Sequence, residues 1–227
     1  MGPLATVDFL HKLIEEMPAA SDQDHVPAVV WNVPQIPDRQ RALAGTGASP
    51  LPAMCAGITR LVAAGATRIA IPCNTAHLWF DELAAYSAVP IVHIVDATLQ
   101  ELDGASASAG KATVGLLATR ATLASGLYQR RFEAAGFACL CPTDAELEIL
   151  FTPGCYAVKS GAVEAGGRLF AALAEALLAR GAQRLVLACT EVPIALARIG
   201  SRHLPLNVDT NRALARACVA YWQQARD

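Results

Sequence analysis

Residues 65–73 read GATRIAIPC and residues 181–189 read GAQRLVLAC. Gly65 matches Gly181, Ala66 matches Ala182 and Arg68 matches Arg184; three apolar residues follow in each, and Cys73 then matches Cys189, 116 residues further on. A short apolar run of this kind suits a parallel strand buried on both faces. Finding it twice, about half a chain apart, predicts a duplicated α/β unit. Strand–turn–helix alternation is common to α/β chains and explains the periodicity. It does not explain a cysteine at the same place in both halves, or a basic residue ahead of each. Those residues are Arg39 in QIPDRQ and Lys159 in TPGCYAVKSG, both segments rich in turn-forming residues. Downstream, Val95-Asp96 pairs with Val208-Asp209, 113 residues on, each read as a strand ending in an Asp that can cap the next helix.

Other short apolar runs repeat the texture: Val26–Val33, Arg68–Ile71, Ile91–Val95, Thr113–Leu117, Phe137–Cys141, Leu185–Ala188 and Leu206–Val208. Between them lie Ala-rich stretches with helical spacing. Leu10, Leu13, Ile14 and Met17 form one stripe, Leu51 to Ala64 a second, and Leu169, Leu173, Leu177 and Leu178 a third. Gly65 and Gly181 stand where C-cap glycines belong. The expectation is α/β: two pseudo-symmetric, doubly wound parallel-sheet lobes with the active site in the cleft between them. The first lobe would comprise residues 1–95 plus 206–227, and the second residues 96–205.

The 227 residues suffice for one large domain or two of about 110. Lys and Arg number 18 and Asp and Glu 20, a net charge of −2, so nothing in the balance favours nucleic acid or an acidic membrane. Hydrophobic residues make up 54%, enough for a sizeable core. The apolar stretch Ile69–Phe80 is broken by Asn74, Thr75 and His77, so it does not read as a membrane span. The first residues lack the basic-then-apolar pattern of a signal peptide. Seven cysteines without a CxxC pair argue against a disulfide scaffold and against zinc held by short cysteine motifs. A reducing, cytoplasmic location follows as an expectation. Cys55, Cys139, Cys141, Cys155 and Cys218 read as small buried hydrophobes.

Cys73 and Cys189 read differently. Each follows a strand and precedes a helix, Asn74–Tyr86 in the first half and Glu191–Ile199 in the second. Open α/β sheets bind ligands beyond the carboxyl ends of their strands. A helix N-terminus there offers free N–H groups to a carboxylate and favours thiolate over thiol. Two such thiols on opposite faces of one carbon could invert a stereocentre, one removing a proton and the other returning one.

The motifs Pro72-Cys73-Asn74-Thr75-Ala76-His77 and Ala188-Cys189-Thr190-Glu191-Val192-Pro193 resemble the two signatures of the aspartate/glutamate racemase superfamily. Met1-Gly2-Pro3-Leu4-Ala5-Thr6, Pro37-Asp38-Arg39, Gly115 to Thr119, Ser125-Gly126-Leu127-Tyr128 and Lys159-Ser160-Gly161 fit its aspartate racemase branch. The resemblance runs over essentially the whole chain. Glu191 stands where glutamate racemases carry His, which favours the aspartate branch.

The resemblance implies cofactor-independent racemisation of an acidic amino acid, most simply aspartate, with no metal and no pyridoxal phosphate. It implies a homodimer that takes a small-molecule amino-acid substrate, with neither nucleic acid nor membrane as partner. Cys73 and Cys189 would be the two bases. Asn74, Thr75, Thr119 and Thr190 would hold the α-carboxylate and amino group. Arg39 and Lys159 would meet the side-chain carboxylate. Gly2, His77 and Glu191 are auxiliary candidates; His77 and Glu191 either tune the adjacent thiols or cap their helices. Asp96 and Asp209 read as helix caps.

The family motif carries a strand and two glycines ahead of the residue that is Met1 here. The repeat shows the same gap, since Thr113–Leu117 precedes Ala118-Thr119 but no strand precedes Ala5-Thr6. A central strand missing from a doubly wound sheet would leave its neighbours with unpaired backbone groups. Three other readings compete. One is a racemase, isomerase or decarboxylase of the same superfamily acting on another acid. A second is a non-catalytic amino-acid-binding remnant. A third is a redox dithiol, which needs Cα atoms within about 7 Å.

Overall fold

The computed structural model describes residues 1–105, 112–204 and 207–225. The helices that lead into the two repeat segments, Leu51–Ala63 and Val163–Ala179, end alike. Gly65 and Gly181 take the left-handed backbone, with φ of 91° and 102°. Their N–H groups bond to Val62 and Leu178, and those of Ala66 and Ala182 reach back to Leu61 and Leu177. A Cβ would oppose that conformation, so glycine closes both helices and turns the chain into a strand.

Among the described residues six strands follow in chain order: β1 (Ile69–Ala70), β2 (Ile91–Val92), β3 (Thr113–Leu116), β4 (Ala138–Leu140), β5 (Arg184–Leu187) and β6 (Asn207–Asp209). β1 and β2 form a two-stranded parallel sheet, and the other four form a parallel sheet in the order β4-β3-β5-β6. The expected α/β class with parallel sheets is therefore present. The apolar runs gave the six strands to within a few residues, though Leu206 lies outside the described residues.

Register carries the repeat further. Ile69 faces Ile91 in the first sheet, and Leu185 faces Asn207 in the second. Each member of one pair lies 116 residues from its counterpart, the spacing that also separates Cys73 from Cys189. Val92 thus corresponds to Val208, and the pairing of Val95-Asp96 with Val208-Asp209 is corrected. The helix Ile94–Ala105 begins immediately after β2, so Val95 and Asp96 lie in its first turn. His93 Nδ1 accepts the Val95 N–H at 3.2 Å, so the imidazole does the work expected of an Asp.

The chain divides into two compact units: Met1–Ala97 with Asn211–Asp227, and Thr98–Thr210. In the first, Ile36, Met54, Ile58, Ile69, Ile71 and Leu83 form the core. The C-terminal helix Thr210–Gln224 meets the helix Pro3–Glu16, where the Asn211 side-chain amide donates to Ala5 O at 3.1 Å and to Asp8 at 2.7 Å. In the second, Phe151, Phe170, Leu173, Leu177, Leu185 and Leu187 lie at the centre of the core.

Two local expectations fail. Val26–Val33 is not a strand, and Val29, Val30 and Trp31 are exposed. In the larger sheet β3 lies between β4 and β5. Among the described residues no strand takes that place beside β1, so residues 26–33 have no ladder to join. The segment TPGCYAVKSG is mostly helix, Thr152–Lys159. Its proline occupies the first turn, where a missing N–H costs nothing. Gly154 lies against the Phe170 ring, where a Cβ would stand 3.0 Å away.

Candidate active site

β5 ends at Leu187, and Cys189 follows two residues later, just ahead of the helix Glu191–Arg198. Cys189, Thr190 and Glu191 are all buried. The Cys189 thiol donates to Glu191 Oε2 at 3.0 Å, and the Thr190 hydroxyl approaches the same oxygen at 3.4 Å. Cys155, fully buried on the helix Thr152–Lys159, hydrogen-bonds to the Cys189 thiol. Sγ of Cys155, Sγ of Cys189 and a Glu191 carboxylate oxygen all lie within 4.8 Å of one another.

These neighbours reverse one expectation. A helix N-terminus favours thiolate, yet the Cys189 pKa lies well above its ordinary value. The hydrogen bond with Cys155 is the largest cause, followed by burial and by the negative charge of Glu191. Cys189 is therefore a protonated thiol in this arrangement. Tyr128, in the same unit, is fully buried and bonds to Thr98 and Thr210; burial pushes its phenol upward as well.

In the other unit β1 ends at Ala70, and Cys73 follows three residues later, half-buried. A helical turn over Thr75–Trp79 comes next, then the helix Phe80–Tyr86. The Cys73 carbonyl accepts the Ala76 N–H at 3.2 Å and His77 Nδ1 at 3.0 Å. His77 Nε2 accepts the Ile94 N–H at 3.2 Å, so Nδ1 carries the proton. The imidazole thus fastens the backbone of Cys73 to the start of the helix Ile94–Ala105. Asn74 and Thr75 are buried beside it. The helix Arg39–Leu43 packs on the turn Thr75–Trp79. Arg39 is buried, with Nη1 donating to Pro37 O at 2.8 Å and Ile36 O at 3.2 Å.

The remaining candidates are placed as follows. Thr119, buried beyond β3, accepts the Thr122 N–H at 3.2 Å and so caps the helix Arg120–Ala124. Gly2 caps the helix Pro3–Glu16. Asp209 is the last residue of β6. Asp96 lies 3.7 Å from His93 Nδ1. Lys159 is exposed, its ammonium 5.3 Å from the Tyr156 ring centre. The two cations do not occupy matching places: Arg39 opens a helix and Lys159 ends one. The residue that shares Arg39's spacing is Cys155, 116 residues beyond it and 34 before Cys189, just as Arg39 lies 34 before Cys73. That offset is the signal the sequence carries for Cys155, which by itself reads as a small buried hydrophobe.

Comparison with known proteins sets these features in a family. Residues 1–218 match the model of the family described as Asp/Glu/Hydantoin racemase. The solved aspartate racemase of Picrophilus torridus superposes with a TM-score of 0.83 at 29% identity, covering 97% of this chain and 90% of that one. An aspartate racemase homologue from Pyrococcus horikoshii gives a TM-score of 0.70 at 23% identity, covering 96% and 94%, a likeness of fold. A broad-specificity amino-acid racemase of Bacillus subtilis is 31% identical over 140 residues, which are 60% of this chain and 59% of the relative.

Proposed function

Because the chain belongs to the Asp/Glu/hydantoin racemase family, we propose that it racemises an acidic amino acid, aspartate first, using Cys73 and Cys189 as paired acid–base groups without pyridoxal phosphate. One observation carries the reading. Two cysteines 116 residues apart follow parallel strands whose partners share that same spacing, and each precedes a helical segment. The mechanism requires both thiols to reach one α-carbon from opposite faces. One takes the α-proton as thiolate, and the other returns a proton as thiol.

The raised pKa of Cys189 suits it to the acid role. Cys73 would then abstract the proton of the D-enantiomer, the direction implied by the family resemblance. Asn74, Thr75, Thr119 and Thr190 supply polar groups for the α-carboxylate and amino group. Arg39 can meet a second carboxylate with a planar fork of donors, and Lys159 with a point charge. The chain would act as a homodimer.

The test follows optical rotation of L-aspartate, with deuterium uptake from heavy water into each enantiomer read by NMR. Cys73→Ser and Cys189→Ser should each lower racemisation by roughly 10²–10⁴-fold, the usual worth of a positioned acid or base. Each variant should still exchange the α-proton of one enantiomer. Full racemisation by either would remove that cysteine from the pair, and a rate that depends on pyridoxal phosphate would overturn the mechanism. A second reading, racemisation of several amino acids, is favoured by the 31% identity to the broad-specificity relative. Comparable turnover of an acidic and a neutral amino acid would establish it.

A further inference from the structure

Cys155 has no part in the two-base scheme, yet it shares the buried cluster with Cys189 and Glu191. We propose that Cys155, Cys189 and Glu191 form a binding site for a thiophilic divalent cation, zinc being the type ion. The binding proposal stands without the racemase reading. Its consequence rests on that reading: an ion bound there withdraws Cys189 from acid–base work.

The donor set selects the ion. Calcium and magnesium take oxygen ligands and would reject two sulfurs, whereas zinc accepts sulfur and carboxylate oxygen together. Zinc stands about 2.3 Å from sulfur and about 2.0–2.2 Å from a carboxylate oxygen. Tetrahedral angles then place the donors roughly 3.5–3.8 Å from each other. All three donor atoms lie within 4.8 Å of one another, and the Cys189 Sγ to Glu191 Oε2 distance is 3.0 Å. Side-chain adjustments well under 2 Å would bring them to ligating distance.

The scaffold holds the donors in register. Cys155 stands on the helix Thr152–Lys159, and Cys189 and Glu191 at the head of the helix Glu191–Arg198. The long helix Val163–Ala179 packs against both. Thr190, with its hydroxyl 3.4 Å from Glu191 Oε2, would steady the carboxylate from outside. Binding exchanges two thiol protons for one dication. Both protons leave to solvent, two sulfur–metal bonds and one oxygen–metal bond form, and no electron is transferred. Three protein ligands leave a fourth position for water or a substrate carboxylate.

The experiment titrates the full chain, under reducing conditions, with cobalt(II) as a spectroscopic probe and then with zinc. One equivalent of cobalt should give thiolate-to-metal charge-transfer absorption and tetrahedral visible bands, and zinc should erase both. Cys155→Ala should weaken binding by at least about 100-fold, beyond the roughly 10–100-fold cost of losing an outer partner. Cys141→Ala, outside the cluster, should bind as the parent does. Because Cys155→Ala could disturb a packed interior, a second measurement uses the unaltered chain. Cys155 and Cys189 are buried and alkylate only through slow opening of the folded chain; zinc should slow that opening-limited alkylation, followed over hours by mass spectrometry, and leave the half-buried Cys55 and Cys141 unprotected. Tetrahedral thiolate bands that survive Cys155→Ala, vanish with Cys141→Ala, or never form would overturn the site, as would protection at other cysteines. If zinc protects both thiols while racemisation continues at saturation, the site stands and the catalytic role of Cys189 falls.

Discussion

At Cys73 it is the backbone carbonyl that His77 holds, so the imidazole acts on the position of the residue. Removing the ring would delete two hydrogen bonds, the one that the Ile94 N–H donates to Nε2 and the one that the Cys73 carbonyl accepts from Nδ1. Two such bonds are together worth about 1–3 kcal/mol. His77→Ala should therefore lower stability by that amount, read as a shift in the urea midpoint at unchanged slope. An unmoved midpoint would show that water replaces the ring at no cost. Cys218 provides a contrast. Burial pushes its thiol up to about 12, with Arg68 nearby opposing the rise. It should resist alkylation near neutral pH in the folded chain and react only on unfolding; rapid labelling of native protein would contradict this. Cys189 shows how far a single residue can be read in isolation. Its place ahead of a helix was legible, and a lowered pKa followed from the helix end alone. The side chains that reverse the shift come from a distant helix and from Glu191, and nothing local to Cys189 announces Cys155.

Among elements, the contact of the helix Pro3–Glu16 with the helix Thr210–Gln224 is governed by charge at its far end. Glu16 bonds to Arg216 Nε at 2.7 Å and also to Arg212. Burial raises its carboxyl pKa, but hydrogen bonds from Arg216 and Arg212 more than offset that and hold it below the ordinary value of 4.5. A carboxylate depressed in the folded state contributes stability above its unfolded pKa. That contribution is lost as pH falls through the folded value. Glu16→Gln should accordingly lower the urea midpoint near neutral pH and match the parent at pH about 2. An equal deficit at both pH values would assign the effect to packing. The strands of the larger sheet were legible because each is a short apolar run with a parallel neighbour. Residues 26–33 carry the same signal and fail, because strand formation needs a second backbone and composition does not report one. Thr152–Lys159 failed in the opposite sense: its proline and glycine read as a turn, yet one fits the first turn of a helix and the other the face of a ring.

At the scale of the molecule, the two units differ in how the chain builds them. Thr98–Thr210 is one continuous stretch, whereas the other unit joins Met1–Ala97 to Asn211–Asp227. The side-chain amide of Asn211 reaches Ala5 across 206 positions. A chain ending at Thr210 should therefore keep slow amide exchange in β3 and β5 and lose it in β1. Equal protection in all three would show that the C-terminal helix is dispensable to its unit. The duplication was legible because it repeats a spacing, and spacing survives in a string of letters. Discontinuity bears on the order of events during translation. Residues 1–97 leave the ribosome first, yet Ala5 and Asp8 must wait for Asn211 before their hydrogen bonds can close. Ala213, Leu214 and Val219, buried in the finished protein, arrive later still. The half synthesised first is thus completed last, and the nascent chain carries an unfinished core past a neighbour that can already have folded. Chaperone capture during synthesis would concentrate on the apolar face of Pro3–Glu16, and release would coincide with the arrival of the helix Thr210–Gln224.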